Sequence, residues 1–293
     1  MLETYVIHVT KECNMNCFYC YEKDKTSRYS KEEVLDLVDK IAQNCKDEQF
    51  VLEFLGGEPL MAFENIKSVY EYMQTNYPGR VNAYYITTNG SVLTDEIKEF
   101  LLNSPNVIYA VSEDGVRWAN QFRRFHNGDN AYDVVMKNIE WATENIPERM
   151  NVHMVTHPYN VAYLADGVKL LYEKGVRSIG VGTVESTMEI DAAYCDRFIK
   201  ELLDVSKLIV SGKLSGLRID LFDHIKPKSD VRTYIHDPKT GKVVGESYGR
   251  SADDITHTDE YDSVQTGSPL QDVIYNLRCC VYENHQAVMM QGE

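Results

Sequence analysis

The feature that most restricts the fold of this chain is an alternation of strands and helices that repeats six times. Each repeat opens with a short β-branched or aromatic run and continues into a segment whose apolar residues recur at helical spacing. Parallel strands joined by helices are the usual consequence of this pattern, so we predict an α/β fold with a parallel sheet. The predicted strands are Tyr5–Thr10, Val51–Leu55, Tyr84–Thr87, Val107–Val111, Val152–Val155 and Ser178–Gly182.

The helices between these strands carry their own start and stop signals. Ser30 and Glu33 form a capping box that predicts a helix start. Gly175 stands where a helix C-cap is expected. The other predicted helices are Ala62–Asn76, Thr94–Leu102, a segment from Tyr132, Tyr163–Gly175 and Ala192–Val210. Six such units in about 210 residues predict a parallel α/β barrel that stops short of closure.

Three cysteines, Cys13, Cys17 and Cys20, directly follow the first predicted strand. Thiolates suit iron–sulfur clusters or zinc better than ions that prefer oxygen. A cubane [4Fe-4S] cluster takes four cysteine ligands, so three clustered cysteines leave one iron open to a ligand that is not protein. A structural zinc site with a distant fourth ligand is the alternative. A disulfide framework is disfavoured, because seven cysteines is an odd number and no secretory signal is visible.

Three further predicted strands also end in short polar or glycine-containing segments. These are Gly56-Gly57-Glu58-Pro59, Thr88-Asn89-Gly90 and Ser112-Glu113-Asp114-Gly115. Glycine permits a close approach of backbone to a ligand, although each segment alone is also an ordinary turn. Arg124 follows ten residues after Asp114 and is suited to bidentate pairing with a carboxylate, with Arg123 as the competing candidate.

Taken together, these motifs resemble the radical SAM superfamily. The C-x3-C-x2-C spacing, with aromatic Tyr19 before the third cysteine, matches the family signature, and G-G-E-P, T-N-G and S-x-D-G follow in the family's order. The resemblance implies that Cys13, Cys17 and Cys20 hold a [4Fe-4S] cluster whose open iron binds S-adenosylmethionine (SAM). It further implies that the cofactor is cradled by Gly56, Gly57, Glu58, Thr88, Asn89, Ser112, Asp114 and Arg124. Glu113 departs from the pattern, because the family has an apolar residue there.

The resemblance also refines the predicted fold. It implies that the strands curve into a partial (β/α)6 TIM-like barrel, which we assign to residues 1–214, followed by a C-terminal extension over 215–293 with a short β-hairpin. Within the extension, His236–Val244 predicts a hairpin around a Lys-Thr-Gly turn, and Ala252–Ser268 is an acidic loop that contains Tyr261.

The last residues bear a weaker resemblance to the start of a SPASM or twitch extension. There, a cysteine is followed thirteen positions later by a glycine in a small β-hairpin, a separation that Cys279 and Gly292 reproduce. An ordinary hairpin with buried cysteines is the competing interpretation. Cys279 and Cys280 supply too few thiols for an auxiliary Fe-S cluster, so one is expected only if the native protein continues past Glu293.

Composition restricts the kinds of molecule and the compartment that we expect for this protein. The net charge of −15 disfavours nucleic acid, whose phosphates require clustered Lys and Arg. No apolar run is long enough to cross a membrane, and the N-terminal residues do not form a signal peptide. Unpaired thiols without a signal peptide favour a reducing cytoplasm.

The sequence therefore predicts a radical SAM enzyme whose substrate is a peptide or protein side chain, as in sulfatase-maturating enzymes and ribosomal-peptide maturases. A reductant such as flavodoxin or ferredoxin is the implied electron source. A radical SAM enzyme for a small molecule is the alternative, and a non-catalytic iron–sulfur electron carrier or sensor is the alternative from a different class. The catalytic acid or base is not identified, with Glu113, Glu185 and Tyr261 as candidates.

Overall fold

The computed structural model describes residues 3–20, 22, 25–184, 188, 190–223, 233–236, 242–244, 250–251 and 280–290. Strands and helices alternate through most of this range. The strands are β1 (Thr4–Thr10), β2 (Phe50–Gly56), β3 (Val81–Thr88), β4 (Val107–Ser112), β5 (Met150–Thr156), β6 (Ser178–Thr183), β7 (Arg218–Ile219), β8 (Thr233–His236), β9 (Lys242–Val244) and β10 (Arg250–Ser251). The helices are α1 (Lys31–Asn44), α2 (Phe63–Asn76), α3 (Asp95–Asn103), α4 (Tyr132–Asn145), α5 (Leu164–Glu173), α6 (Ala192–Val210), α7 (Asp220–Asp223) and α8 (280–290).

The predicted alternation of strands and helices is confirmed. Strands β1 to β7 lie side by side in chain order, and each neighbouring pair is parallel. The sheet is open in the described residues, with β7 at one edge and β10 at the other. This is the architecture of a partial barrel. None of the described helices is both long and apolar enough to cross a bilayer.

Local sequence explains the helix ends that border the site. The Ser30 side chain accepts a hydrogen bond from the backbone of Glu33, and the Glu33 carboxylate accepts one from the backbone of Ser30. This is the predicted capping box at the start of α1. The side chains of Thr94 and Asp191 each accept a backbone hydrogen bond at the start of α3 and of α6. Each bond satisfies a donor that a helix start leaves unpaired.

The helices cover one face of the sheet. On β2, Phe50, Leu52 and Phe54 are buried in the hydrophobic core with residues of the helices, whereas Val51 and Glu53 are only partly buried. Because successive side chains of a strand point to opposite faces, the second set lies on the face away from the helices. We call this side of the sheet the inner face. Alternation with buried core residues also assigns to it Tyr85, Thr87, Ser112, His153, Gly180 and Gly182.

Two features of the C-terminal region add to the sheet. β8 pairs in parallel with β1, so the chain returns to extend the N-terminal edge of the sheet. β8 and β9 are antiparallel, which confirms the hairpin strands predicted within His236–Val244, although the turn between them lies outside the described residues. The division of the chain at residue 214 remains a prediction. Glu185, Tyr261, Cys279 and Gly292 also lie outside the described residues.

The prediction of a β-hairpin for the last residues is wrong where the structure describes them. Residues 280–290 form α8. Val281 and His285 are its buried positions, a spacing of four residues that places them on one helix face. The His285 ring stacks on Phe222 with centroids 4.2 Å apart, and its Nδ1 lies 2.7 Å from Ser206 Oγ. The segment has no Gly or Pro before Gly292 to form a hairpin turn, so the helical spacing prevails.

Candidate active site

The three predicted cluster ligands lie in the cysteine loop, residues 11–20, at the carboxyl end of β1. The loop pairs with residues 122–124: Asn16 N–H donates to the Arg124 carbonyl at 2.8 Å, and Phe18 N–H donates to the Phe122 carbonyl at 3.1 Å. Cys13, Cys17 and Cys20 are of intermediate burial, and they form no disulfide. The backbone is therefore anchored on both sides of Cys17 while the thiols remain accessible.

A cavity of about 800 Å³ opens beside this loop. Its walls include Cys17 and Cys20 together with two cationic residues, Lys25 and Arg124. Cys13 is not part of this wall, and its sulfur lies 3.8 Å from the side-chain Nδ2 of Asn89. Glu22 adds one carboxylate to this wall, so the two thiols share the space with two cations and one anion, a set that suits a soft metal centre with an anionic ligand beside it.

The electrostatics of the thiols are set by burial and by nearby cations. Burial raises the pKa of Cys13 and of Cys17, and a Cys17 thiolate is favoured in turn by Arg123. Lys25 also favours both thiolates and so opposes the rise in pKa. Metal ligation requires the thiolate, so binding of a cluster displaces protons from these cysteines.

The ligand set fits an iron–sulfur cubane better than zinc. Among the described residues, no group of three or more His, Cys, Asp or Glu side chains is arranged to hold a single metal ion. The zinc alternative therefore finds no support in this part of the chain. A cubane binds each thiolate through a different iron, so it accommodates three separated cysteines.

Gly56 and Gly57 lie against the backbone of the cysteine loop. A Cβ at Gly56, where φ is +130°, would come 2.0 Å from the Thr10 carbonyl oxygen, and a Cβ at Gly57 would come 2.3 Å from the Glu12 carbonyl oxygen. Gly57 N–H donates to the Thr10 carbonyl at 2.9 Å. Only glycine permits this approach without displacement of backbone, so both residues join the end of β2 to the loop that carries the thiols.

Glu58 is fully buried, and neighbouring residues of the protein donate hydrogen bonds to it. Its carboxylate accepts hydrogen bonds from Leu60 N–H at 3.0 Å, from Thr88 Oγ1 at 2.7 Å and from Asn89 N–H at 2.7 Å. No cation contributes to this environment, and burial raises the pKa of Glu58 to about 7, against the three hydrogen bonds. Glu58 therefore joins the ends of β2 and β3, and Asn89 extends the contact to Asn14 of the cysteine loop at 2.9 Å.

Asp114 is the centre of a second buried network. Arg123 donates to it twice, from Nε to Oδ2 at 2.9 Å and from Nη2 to Oδ1 at 3.1 Å. The Tyr19 hydroxyl donates to Oδ2 at 2.7 Å, and Val155 N–H donates to Oδ1 at 2.9 Å. Asp114 thus links the cysteine loop to β5 and to Arg123, and protein donors engage both of its oxygens.

The two neighbouring arginines have different environments. Arg123 is buried in its ion pair with Asp114, and its guanidinium lies 5.5 Å from the centroid of the Tyr19 ring. Arg124 is exposed, lines the cavity with Cys17, and donates to the carbonyls of Gln121 and Gly128 at 2.8 Å. Of the two candidates, Arg124 is the one placed to meet a ligand in the cavity.

Ser112 and Glu113 end β4. Ser112 is partly buried and stands beside His153 of β5 in the sheet register. Glu113 is buried, accepts a hydrogen bond from Asn120 on one oxygen, and has no partner for Oε2. Burial, with the neighbouring Asp114 charge, raises its pKa well above the ordinary value. Burial therefore favours the neutral form of Glu113 over an added charge at the end of β4.

Sequence reasoning missed two residues that structure the site. Tyr19 was noticed only as an aromatic in the motif, yet its hydroxyl binds Asp114. His157, at the end of β5, is buried with its ring 5.1 Å from that of Tyr19, and burial lowers its pKa to about 4. Its position directly after a strand end is the signal that could have identified it.

Comparison with known proteins identifies the family of this chain. The chain is 30% identical over 181 residues to an uncharacterized protein of Methanocaldococcus jannaschii, covering 59% of this chain and 60% of that protein. It is 29% identical over 164 residues to the serine-type anaerobic sulfatase-maturating enzyme of Bacteroides thetaiotaomicron, covering 53% and 39% of the two chains. The chain therefore matches 60% of the length of the first relative and 39% of the second, less than two thirds of either.

Solved structures share the fold at low sequence identity. AnSMEcpe, an anaerobic sulfatase-maturating enzyme with bound AdoMet and the Cp18Cys peptide, superposes with a TM-score of 0.78 at 14% identity, covering 99% of this chain and 97% of that one. Streptococcus suis SuiB bound to its precursor peptide SuiA gives a TM-score of 0.65 at 14% identity, covering 93% and 66%. These likenesses confirm the partial barrel. The model of the radical SAM superfamily matches residues 7–171, more than half of the chain, and the protein belongs to that superfamily.

Proposed function

We propose that this protein is a peptide-modifying radical SAM enzyme in which Cys13, Cys17 and Cys20 hold a [4Fe-4S] cluster. The observation that carries the proposal is the shared cavity: Cys17, Cys20 and the exposed Arg124 face one space at the carboxyl end of β1. When bound, the cluster and SAM supply reductive cleavage to methionine and a 5′-deoxyadenosyl radical that abstracts hydrogen from the substrate.

The site residues divide into those that are proposed to contact the cofactor and those that hold the cysteine loop and the strand ends in place. Arg124 is the proposed partner of the SAM carboxylate, since a guanidinium pairs well with a carboxylate and this one faces the cavity. Thr88, Asn89 and Ser112 remain predicted cofactor contacts at the ends of β3 and β4. Gly56, Gly57, Glu58 and Asp114 were predicted to contact SAM directly. Their contacts favour a supporting role, in which they hold the cysteine loop and the strand ends in place.

The peptide substrate is proposed from the relatives. Structures that share the fold include an enzyme with a bound peptide and SuiB with its precursor peptide, and a sequence relative is a sulfatase-maturating enzyme. The cysteine loop follows the carboxyl end of β1, and the inner face carries partly buried polar groups along the neighbouring strands, so a substrate side chain that enters from this end would meet those groups. A reductant such as flavodoxin or ferredoxin is part of the same proposal.

The test is anaerobic SAM cleavage. Protein reconstituted with iron and sulfide, then given SAM and dithionite, is expected to form 5′-deoxyadenosine and to contain about four irons per chain. Cys17→Ala is expected to lose both the cluster absorption and the cleavage. Cys195→Ala is the matched control, because Cys195 lies on α6 away from the cavity, and it is expected to retain both. Cleavage retained by Cys17→Ala would refute the ligand assignment.

A further inference from the structure

One carboxylate on the inner face lacks the contacts that the other buried carboxylates have. Glu53 stands in the middle of β2 and is partly buried. Its inward direction follows from its neighbours, since Leu52 and Phe54 on either side are buried in the helix-facing core. In the sheet register it lies beside Tyr85 of β3, which belongs to the same face.

The hydrogen bonding of Glu53 is incomplete. Thr87 Oγ1 donates to its Oε1 at 2.7 Å, and this is its one side-chain hydrogen bond among the described residues. It takes part in none of the salt bridges found in the same part of the chain. Glu58 has three donors and Asp114 has a paired arginine, so both are matched by the protein itself. Glu53 is not.

Electrostatics agree with this geometry. Burial raises the pKa of Glu53, and among the described residues only the Thr87 hydroxyl opposes the rise, with no cation contributing. Arg218 of β7 acts on Tyr85, whose pKa burial raises, but it makes no contribution at Glu53. A partly desolvated carboxylate without a cation is unfavourable by itself, and a ligand that brings a positive charge and N–H donors relieves that cost.

We propose that Glu53 and Thr87 form a substrate subsite for a cationic group, an ammonium or a guanidinium, carried by the molecule that enters the inner face. This proposal rests on the proposed function, because it names the class of substrate side chain. Glu53 lies four residues below Gly57, about 13 Å along the strand from the rim that holds the cysteine loop. A substrate backbone that extends past the rim brings a lysine or arginine side chain within reach of Glu53.

The experiment measures binding to cluster-loaded protein with SAM by equilibrium dialysis. The probes are Ac-Ala-Ala-Lys-Ala-Ala-NH2, the same peptide with norleucine in place of lysine, and n-butylammonium. The lysine peptide is expected to bind at least about tenfold more tightly than the norleucine peptide, as a charge-assisted hydrogen bond implies. If n-butylammonium binds as tightly as the lysine peptide, a free amine rather than a peptide is the source of the cation.

Variants assign the preference to Glu53. Glu53→Gln keeps the shape of the side chain and is expected to abolish the preference for lysine over norleucine. Glu53→Asp keeps the charge and is expected to retain a reduced preference, which provides a second test if the glutamine variant folds poorly. Glu96→Gln is the matched control, since Glu96 is exposed on α3 and pairs with Lys67, and it is expected to change nothing. Circular dichroism and iron content verify that each variant is folded and loaded.

Failure of this inference is distinguishable from failure of the proposed function. SAM cleavage without substrate is measured in wild type and in Glu96→Gln, and it tests the proposed function independently of Glu53. Cleavage without any preference for lysine overturns the subsite alone. Preference without cleavage overturns the proposed function and leaves a cation-binding face. Equal binding of both peptides, binding of none of the probes, or a preference that survives Glu53→Gln overturns the subsite.

Discussion

The ends of β2 and β4 present the same chemical group in two different environments. Glu58 follows the carboxyl end of β2 and Asp114 follows that of β4. Both carboxylates are buried, and both were predicted to contact SAM. Glu58 is surrounded by neutral donors from Leu60, Thr88 and Asn89. Asp114 instead faces the guanidinium of Arg123.

The comparison shows that a buried carboxylate can hold the cysteine loop either with neutral hydrogen-bond donors or with an arginine as its partner. Each carboxylate secures the cysteine loop, Glu58 through Asn89 to Asn14 and Asp114 through Tyr19. Without a cation, Glu58 exchanges its proton near neutral pH. Asp114 forms a buried ion pair with Arg123, so removing its carboxylate leaves the guanidinium without a partner charge. The end of β2 is therefore sensitive to pH, and the end of β4 is sensitive to the removal of charge.

The largest effect is expected for Asp114→Asn. This change leaves the Arg123 guanidinium buried without its counter-charge, which typically lowers the free energy of unfolding by about 3–5 kcal/mol. Urea denaturation followed by tryptophan fluorescence measures the loss. Arg117→Ala is the control, because its ion pair with Asp133 is exposed and its removal should have little effect. A loss no greater in Asp114→Asn than in the control would show that the buried pair does not stabilise the end of β4.

The pH dependence of Glu58 is expected to be the next largest effect. Its pKa rises from an ordinary 4.5 to about 7 in the folded protein. The folded chain therefore holds a proton that the unfolded chain releases between these values. This contribution is complete below pH 4.5 and disappears as the pH rises through 7, a change of about 3 kcal/mol in the free energy of unfolding.

Glu58→Gln isolates this dependence, because glutamine does not titrate. His157 acts in the opposite direction: its pKa falls from 6.5 to about 4, so its contribution is complete above pH 6.5 and is lost on acidification. The difference between wild type and Glu58→Gln cancels the histidine. We expect that difference, measured by denaturation from pH 4.5 to 8, to decline as the pH rises. A difference that is flat with pH would contradict the raised pKa.

A smaller effect is expected for Gly57→Ala. The new Cβ would lie 2.3 Å from the Glu12 carbonyl oxygen, so either the cysteine loop or the end of β2 must move. Overpacking of this kind lowers the free energy of unfolding by about 1–3 kcal/mol. Iron content after reconstitution should fall with it, because the loop carries the cluster ligands. Gly79→Ala controls for strain without contact, since its positive φ is 80° and nothing lies near its Cβ position; full iron content in both variants would argue against the loop-positioning role.

The smallest effect on stability, and the one most specific to the cofactor, is expected for Arg124→Ala. Arg124 is exposed and bonded only to two loop carbonyls among the described contacts, so the free energy of unfolding should change by less than about 0.5 kcal/mol. Affinity for SAM, measured by equilibrium dialysis on loaded protein, should fall about tenfold. Loss of iron instead would indicate that Arg124 supports the loop.

Prediction from sequence was most accurate where local rules act alone. Helix α6 spans Ala192–Val210 as predicted, because Asp191 caps its start and its apolar stripe is regular. Strand β7 and the pairing of β8 with β1 were not predicted. β7 has two residues, and the parallel pairing of β8 with β1 joins segments far apart in the chain, which no local pattern encodes.

Residue spacing by itself determined the alternating α/β order and the three-thiol loop at the end of the first strand, since each depends on short-range pattern. The resemblance of the motifs to the radical SAM superfamily is confirmed by the family match. Only the tertiary structure decided which arginine is buried with Asp114 and which faces the cavity, and that Glu53 has no cationic partner among the residues that the structure describes. The physical reason is that partnership and desolvation depend on side chains brought together from different strands. Adjacent residues of identical type, such as Arg123 and Arg124, can therefore have opposite environments.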